Sequence, residues 1–285
     1  VTVTVGGVRA AGRVTATTSG DWLCTLPTLP AMATTSLRAS DGAATAALAD
    51  VAVGEVLLCG GQSNMGYGMC GALSATQSPA AAMATLAPVR FYFRHGSGPG
   101  GGSPDAACNA VHYRTPNSTW FVAAGNNTGG ASAICMLTAS ALHKHLGGRV
   151  PVGAVESCQS ATNVQPWTPA LPGRPQSEDG ELFAAWIRPL LPMRFRAALW
   201  DQGEADAKRT NSSWYAKEFP AMVKGWRRLF QSEAPFVYVE LCTEYGMPGF
   251  WQAQRAALAL GGVGFATTTD VQRALHPPDK QDVAA

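Results

Sequence analysis

The hexapeptide Gly60-Gly61-Gln62-Ser63-Asn64-Met65 is where residue type and spacing first suggest chemistry. It follows the apolar run from Val53 to Cys59, which reads as a buried strand. A serine set between a strand end and a helix start exposes its hydroxyl as a nucleophile and aims nearby backbone N–H groups at a developing oxyanion. Ser63 is therefore the first candidate for a reactive residue. The pattern is not the Gly-x-Ser-x-Gly elbow, because Gln62 and Asn64 flank the serine. A second glycine-rich stretch, Gly96 to Ser103, lacks the Gly-Lys-Ser/Thr ending of a phosphate-binding loop and reads as part of a flexible surface loop from His95 to Gly130.

The elements that must position such a serine are legible downstream of residue 51. Short apolar runs (Val53 to Cys59, Val150 to Glu156, Arg196 to Trp200, Phe236 to Leu241, Gly262 to Thr268) alternate with helical patterns (Ala131 to Leu146, Glu181 to Leu191, Trp214 to Leu229, Phe250 to Leu260). That alternation is the mark of βαβ units. It predicts about five strands in a mainly parallel sheet covered by helices, a three-layer α/β/α sandwich. Active sites in such sheets lie at the carboxyl ends of the strands, where Ser63 falls. Residues 1–50 read differently, with alternating Val and Thr and turns at Gly6-Gly7 and Ser19-Gly20-Asp21. They predict a β-rich segment of short strands packed on, or leading into, a main domain of residues 51–285.

Composition narrows the function classes. The 285 residues suffice for one large α/β domain, with 46% apolar residues to fill its core. A formal charge of +2 and only 14% charged residues leave no basic stripe for nucleic acid. No apolar run approaches the roughly 18–20 residues of a membrane helix. Val1 to Val5 lacks the layout of a signal peptide, so a secreted form would have lost its signal. The seven cysteines show no metal-site spacing and imply no metal. Cys59 and Cys135 lie in apolar segments and read as small core residues, whereas Cys70 and Cys108 lie in loop-like sequence where a disulfide could form. Asn-x-Ser/Thr sequons at Asn117, Asn126 and Asn211 tilt the chain towards a secreted or lysosomal glycoprotein.

Four ordered blocks carry a resemblance to a known family. Gly54-Glu55-Val56-Leu57-Leu58-Cys59-Gly60-Gly61-Gln62-Ser63-Asn64-Met65 resembles the nucleophile block of the sialate O-acetylesterases, a branch of the SGNH hydrolases. The strand Pro151 to Ser157, continuing through Ser160-Ala161 to Trp167, is similar to a second block in which two glycines stand at 160 and 161. Leu199-Trp200-Asp201-Gln202-Gly203-Glu204 resembles Trp-Tyr-Gln-Gly-Glu, with Asp201 in place of the tyrosine. The run from Asp270 to Val283, containing His276-Pro277 and Lys280-Gln281, resembles the last block, after which the family continues into a helix.

The resemblance implies a serine esterase that removes acetyl groups from sugars, with sialic acid as the leading substrate and no cofactor. Acetylated xylan, or catalytically silent carbohydrate binding, are the alternatives. Ser63 would be the nucleophile and His276 the general base. Asp270 would orient the imidazole, with Asp279, Glu204 or no acid as rivals, because Arg273 stands where many SGNH enzymes place an aspartate. The oxyanion would be held by backbone N–H groups of Ser63 and of the Ser160-Ala161 turn and by the Gln202 amide, a neutral donor. Gln62, Asn64 and Glu204 would border the substrate, and Trp167 would stack on a sugar ring. His95, His112, His143 and His145 read as surface or structural.

Overall fold

A computed structural model describes residues 1–9, 14–15, 17–93, 119–123, 128–172, 180–209, 212–241, 249–271 and 275–285. The first strands are β1 (Thr2–Val5), β2 (Val8–Arg9), β3 (Met32–Ser40) and β4 (Thr45–Val53). They form an antiparallel sheet in the order β2-β1-β3-β4, and its two nine-residue strands exceed the short ones expected. The larger sheet holds β5 (Glu55–Gly61), β6 (Arg90–Phe93), β7 (Trp120–Val122), β8 (Val152–Cys158), β9 (Ala197–Asp201), β10 (Phe236–Glu240) and β11 (Val263–Thr267). Its order is β11-β10-β9-β5-β8-β6-β7, parallel throughout except for β6–β7. All five expected strands are present; β6 and β7 are two more. β7 lies inside the segment read as a surface loop. His95, His112, Cys108, Arg273 and the three sequon asparagines lie outside the described residues.

Side-chain alternation on β5 builds both layers. Leu57 and Cys59 face the core under α1 (Pro79–Ala84) and α2 (Ala133–His145), whereas Leu58 faces the opposite core. That second core is covered by α4 (Ser212–Phe230) and α5 (Phe250–Arg255), while the one-turn α3 (Glu204–Arg209) precedes α4. Trp200 anchors the second core, edge-on to Trp167 and Trp226 at 5.6 Å each. The stretch expected as a helix from Glu181 is instead a π turn, Phe183–Ile187, followed by a tight 3₁₀ turn, Arg188–Leu190. Pro189, which has no N–H to give, sits in the second of these. The last helix, α6 (Lys280–Ala284), packs against α2.

α2 begins where Ser132 Oγ accepts from Cys135 N at 3.1 Å and ends on the basic residues His143, Lys144 and His145, which suit its dipole. The reading of two cysteines is corrected here. Cys59 and Cys135 are joined as a disulfide that fastens β5 to α2. Their apolar neighbours are real, but the topology sets the two thiols face to face. Cys70 is disulfide-bonded as well. Among the described residues no helix is long and apolar enough to cross a membrane.

Candidate active site

The nucleophile candidate stands where β5 leaves the sheet. Gly61 takes φ 142°, and a Cβ there would lie 2.1 Å from the Asp201 carbonyl, so this exit admits glycine alone. The next N–H, of Gln62, donates to that same carbonyl at 2.9 Å, and Gly66 N closes the following turn on Gln62 O at 3.0 Å. Ser63 sits inside the turn, with Oγ 2.8 Å from His276 Nε2. With the imidazole neutral and its proton on Nδ1, the hydroxyl donates to Nε2. Burial holds the His276 pKa below its ordinary value, and the charges of Lys280 and Lys208 act in the same direction. An imidazole kept unprotonated is ready to accept a proton.

Beneath Ser63 lies a buried polar lattice. The Gln62 and Asn64 amides donate one to each carboxylate oxygen of Glu204, at the start of α3. Asn64 also donates to the Leu275 carbonyl at 2.9 Å and accepts from Lys280 Nζ at 2.7 Å. Lys280 is fully buried. Burial drives its pKa down, while the nearby carboxylates Asp201 and Glu204 oppose that shift. Burial likewise raises Asp201 and Glu204, and the Lys280 charge resists it in both. The loop bearing His276 is thereby tied to the loop bearing Ser63 through one asparagine. Its far side is fixed by Leu73 N donating to Pro278 O at 2.7 Å and by Gln281 Nε2 donating to Ala72 O at 2.8 Å.

Above Ser63 opens a cleft of about 220 Å³, bordered by Gln62, Ser160, Ala161, Glu204, Lys208 and His276 among others. Ala161 adopts φ 58°, the left-handed conformation in which a side chain costs about 1–2 kcal/mol. The turn keeps the shape that a glycine would give it.

Four expected roles are corrected by the geometry. Gln202 is buried, and its two amide hydrogens go to the Thr162 carbonyl at 2.9 Å and to Asp206, while its own oxygen accepts from Tyr215 Oη at 3.1 Å. It braces the loop below the Ser160-Ala161 turn rather than facing the cleft. Trp167 is 0% exposed and gives its indole N–H to Thr162 Oγ1 at 3.1 Å, so no sugar can stack on it. Asn64 is buried in the lattice and does not border the cleft. Asp270 is exposed and makes no hydrogen bond or ion pair with His276. The rivals do no better: Glu204 is committed to two amides, and Asp279 makes no hydrogen bond to the imidazole. Among the described residues, Ser63 and His276 form a dyad.

Residues 53–280 match the model of a family described as carbohydrate esterase, sialic acid-specific acetylesterase. The chain belongs to this family. Human sialate O-acetylesterase is 27% identical over 225 residues, which is 68% of this chain and 41% of the human protein. The rat enzyme is 29% identical over 156 residues, 45% of this chain and 29% of its own. This chain therefore matches less than half the length of these curated relatives. A carbohydrate acetylesterase from Xanthomonas citri superposes with a TM-score of 0.80 at 28% identity, covering 99% of this chain and 65% of the other. A protein of Arabidopsis thaliana shares the fold at TM-score 0.53 and 15% identity.

Within this family of carboxylic ester hydrolases, two site residues escaped the sequence reading. Lys280 belongs to the His-Pro-x-x-Lys-Gln string, so its position was in view, but nothing local announces that a lysine one turn from the chain end is buried. Lys208 borders the cleft from α3 and has no motif to flag it. Its signal was positional, since it stands four residues after Glu204 and hence on the same helix face.

Proposed function

We propose that this protein is a serine esterase that hydrolyses O-acetyl esters on sugars, with O-acetylated sialic acid as its substrate. The observation that carries the reading is the 2.8 Å approach of Ser63 Oγ to His276 Nε2 at the carboxyl end of β5, inside the matched family region. His276 takes the Ser63 proton as Oγ attacks the acetyl carbonyl, and the oxyanion is held by the Ser63 N–H and the backbone of the Ser160-Ala161 turn. The tetrahedral intermediate collapses, the sugar hydroxyl leaves with the proton from His276, and an acetyl-serine remains. A water molecule deprotonated by His276 then releases acetate and restores the serine. No acid partner is needed to orient the ring if its loop does so, and the Asn64–Leu275 and Leu73–Pro278 bonds support that.

The disulfides support maturation in an oxidising compartment, as for a secreted or lysosomal protein. The test is acetate release from O-acetylated sialic acids, with acetylated xylo-oligosaccharides as competitors and a fluorophosphonate to label the nucleophile. Wild type should release acetate and take the label at Ser63, and Ser63→Ala should do neither. Turnover by Ser63→Ala at the wild-type rate would sink the mechanism. Turnover of the xylo-oligosaccharides alone would move the substrate to plant polysaccharides.

A further inference from the structure

The charged groups that border the cleft differ in how they are committed. Glu204 has both carboxylate oxygens engaged by the Gln62 and Asn64 amides. His276 meets Ser63. Lys208 is exposed, on the cleft-facing side of α3, and makes no hydrogen bond or ion pair with any described residue. It is close enough for its charge to act on both Glu204 and His276. An unpaired ammonium in the wall of the cleft is a fixed positive charge that attracts an anion carried by an entering substrate. Among the described residues that line the cleft, Glu204 is the one carboxylate, and its oxygens are already taken by the two amides; the 220 Å³ space above Ser63 holds little more than one sugar ring with its ester.

We propose that Lys208 binds a carboxylate carried by the substrate, so that the cleft selects acetylated sugar acids over acetylated neutral sugars. This rests on the acetylesterase reading and adds to it the side chain that discriminates. Lysine suits the task as a flexible point charge that reaches one carboxylate without fixing its plane. The same pairing turns the sugar so that its acetylated face meets Ser63, and it draws acidic substrates in at low ionic strength.

The experiment compares kcat/KM for acetate release from an O-acetylated sialic acid and from its carboxamide, in which the charge is removed and the acetyl ester kept. Wild type should prefer the acid by about tenfold, chiefly through KM. The preference should fall towards one in Lys208→Gln, persist in Lys208→Arg, and shrink as salt is raised from about 0.02 to 0.5 M. An equal preference in wild type and Lys208→Gln would overturn the proposal while leaving the esterase reading standing. So would an equal loss on both substrates, which would mean the charge acts on the oxyanion instead. Acetate release by wild type from neither substrate would overturn the esterase reading and this proposal together.

Discussion

The two halves of the site are held in different ways. The serine is set on a buried lattice in which two amides, two carboxylates and a lysine share bonds and charge. Among the described residues the histidine has one side-chain bond, to the serine, and its loop is otherwise located by backbone bonds at the Leu275 and Pro278 carbonyls. Ser63 is thus fixed by side chains far apart in sequence, and His276 by the path of its loop. Asn64 serves both, bonding to Glu204 on one side and to the Leu275 carbonyl on the other. Among the described residues no carboxylate stands behind the imidazole.

This contrast can be broken from either side. Removing a reacting group has the largest effect: His276→Ala should lower kcat by about 10⁴-fold or more, like Ser63→Ala, in acetate-release assays. Next is the lattice. Lys280→Met leaves Asp201 and Glu204 buried without their cation and should cost about 3–5 kcal/mol in urea unfolding. Titration tests two other buried acids, outside that lattice. Burial raises Glu156 from 4.5 to about 7 and Asp206 from 3.8 to about 7. The native state then keeps protons that the unfolded chain has lost, so stability falls as pH rises between those values and flattens above about 7. Thermal unfolding should show a higher midpoint at pH 5 than at pH 8, and the reverse order would contradict this assignment of the buried acids.

Smaller effects sharpen the comparison. Ala161→Gly relieves a left-handed alanine and should add about 0.5–1 kcal/mol to the unfolding free energy, read in the same urea assay. The smallest expected change is the most telling for the base. Asp270→Asn should alter kcat/KM by less than about threefold, because an exposed aspartate without contact to His276 cannot orient it. A loss of about 10³-fold would instead restore Asp270 as a third member of a triad.

What the sequence made legible follows the range of the interactions. β5, β8, β9 and β10 were visible because each is a continuous apolar run largely buried on both faces, and β11, a partly exposed edge strand, because its apolar residues stand between polar and glycine flanks. β6 and β7, of four and three residues, are too short for a period to register. Ser63 and His276 came from ordered motifs, and the fold brings them together. The role given to Gln202 failed on a local competitor, since Asp206 lies one helical turn on and accepts its amide. That contact was open to inference from the spacing. The disulfide was not, because it needed the face of β5 that meets α2. The burial of Trp167 was set by two other tryptophans, one on β9 and one in the turn at Phe183–Ile187.

The Cys59–Cys135 bond also bears on how often the nucleophile is presented. It spans 76 positions of chain, and closing a loop of that size removes on the order of 4 kcal/mol of conformational freedom from the unfolded ensemble. That is a large share of the roughly 5–15 kcal/mol by which whole domains are stable. One of its sulfurs lies on the strand four residues before Ser63, so partial opening that frees this strand end also carries the hydroxyl away from its base. Reduction of this bond would therefore bring closer the partly opened states in which Ser63 is parted from His276.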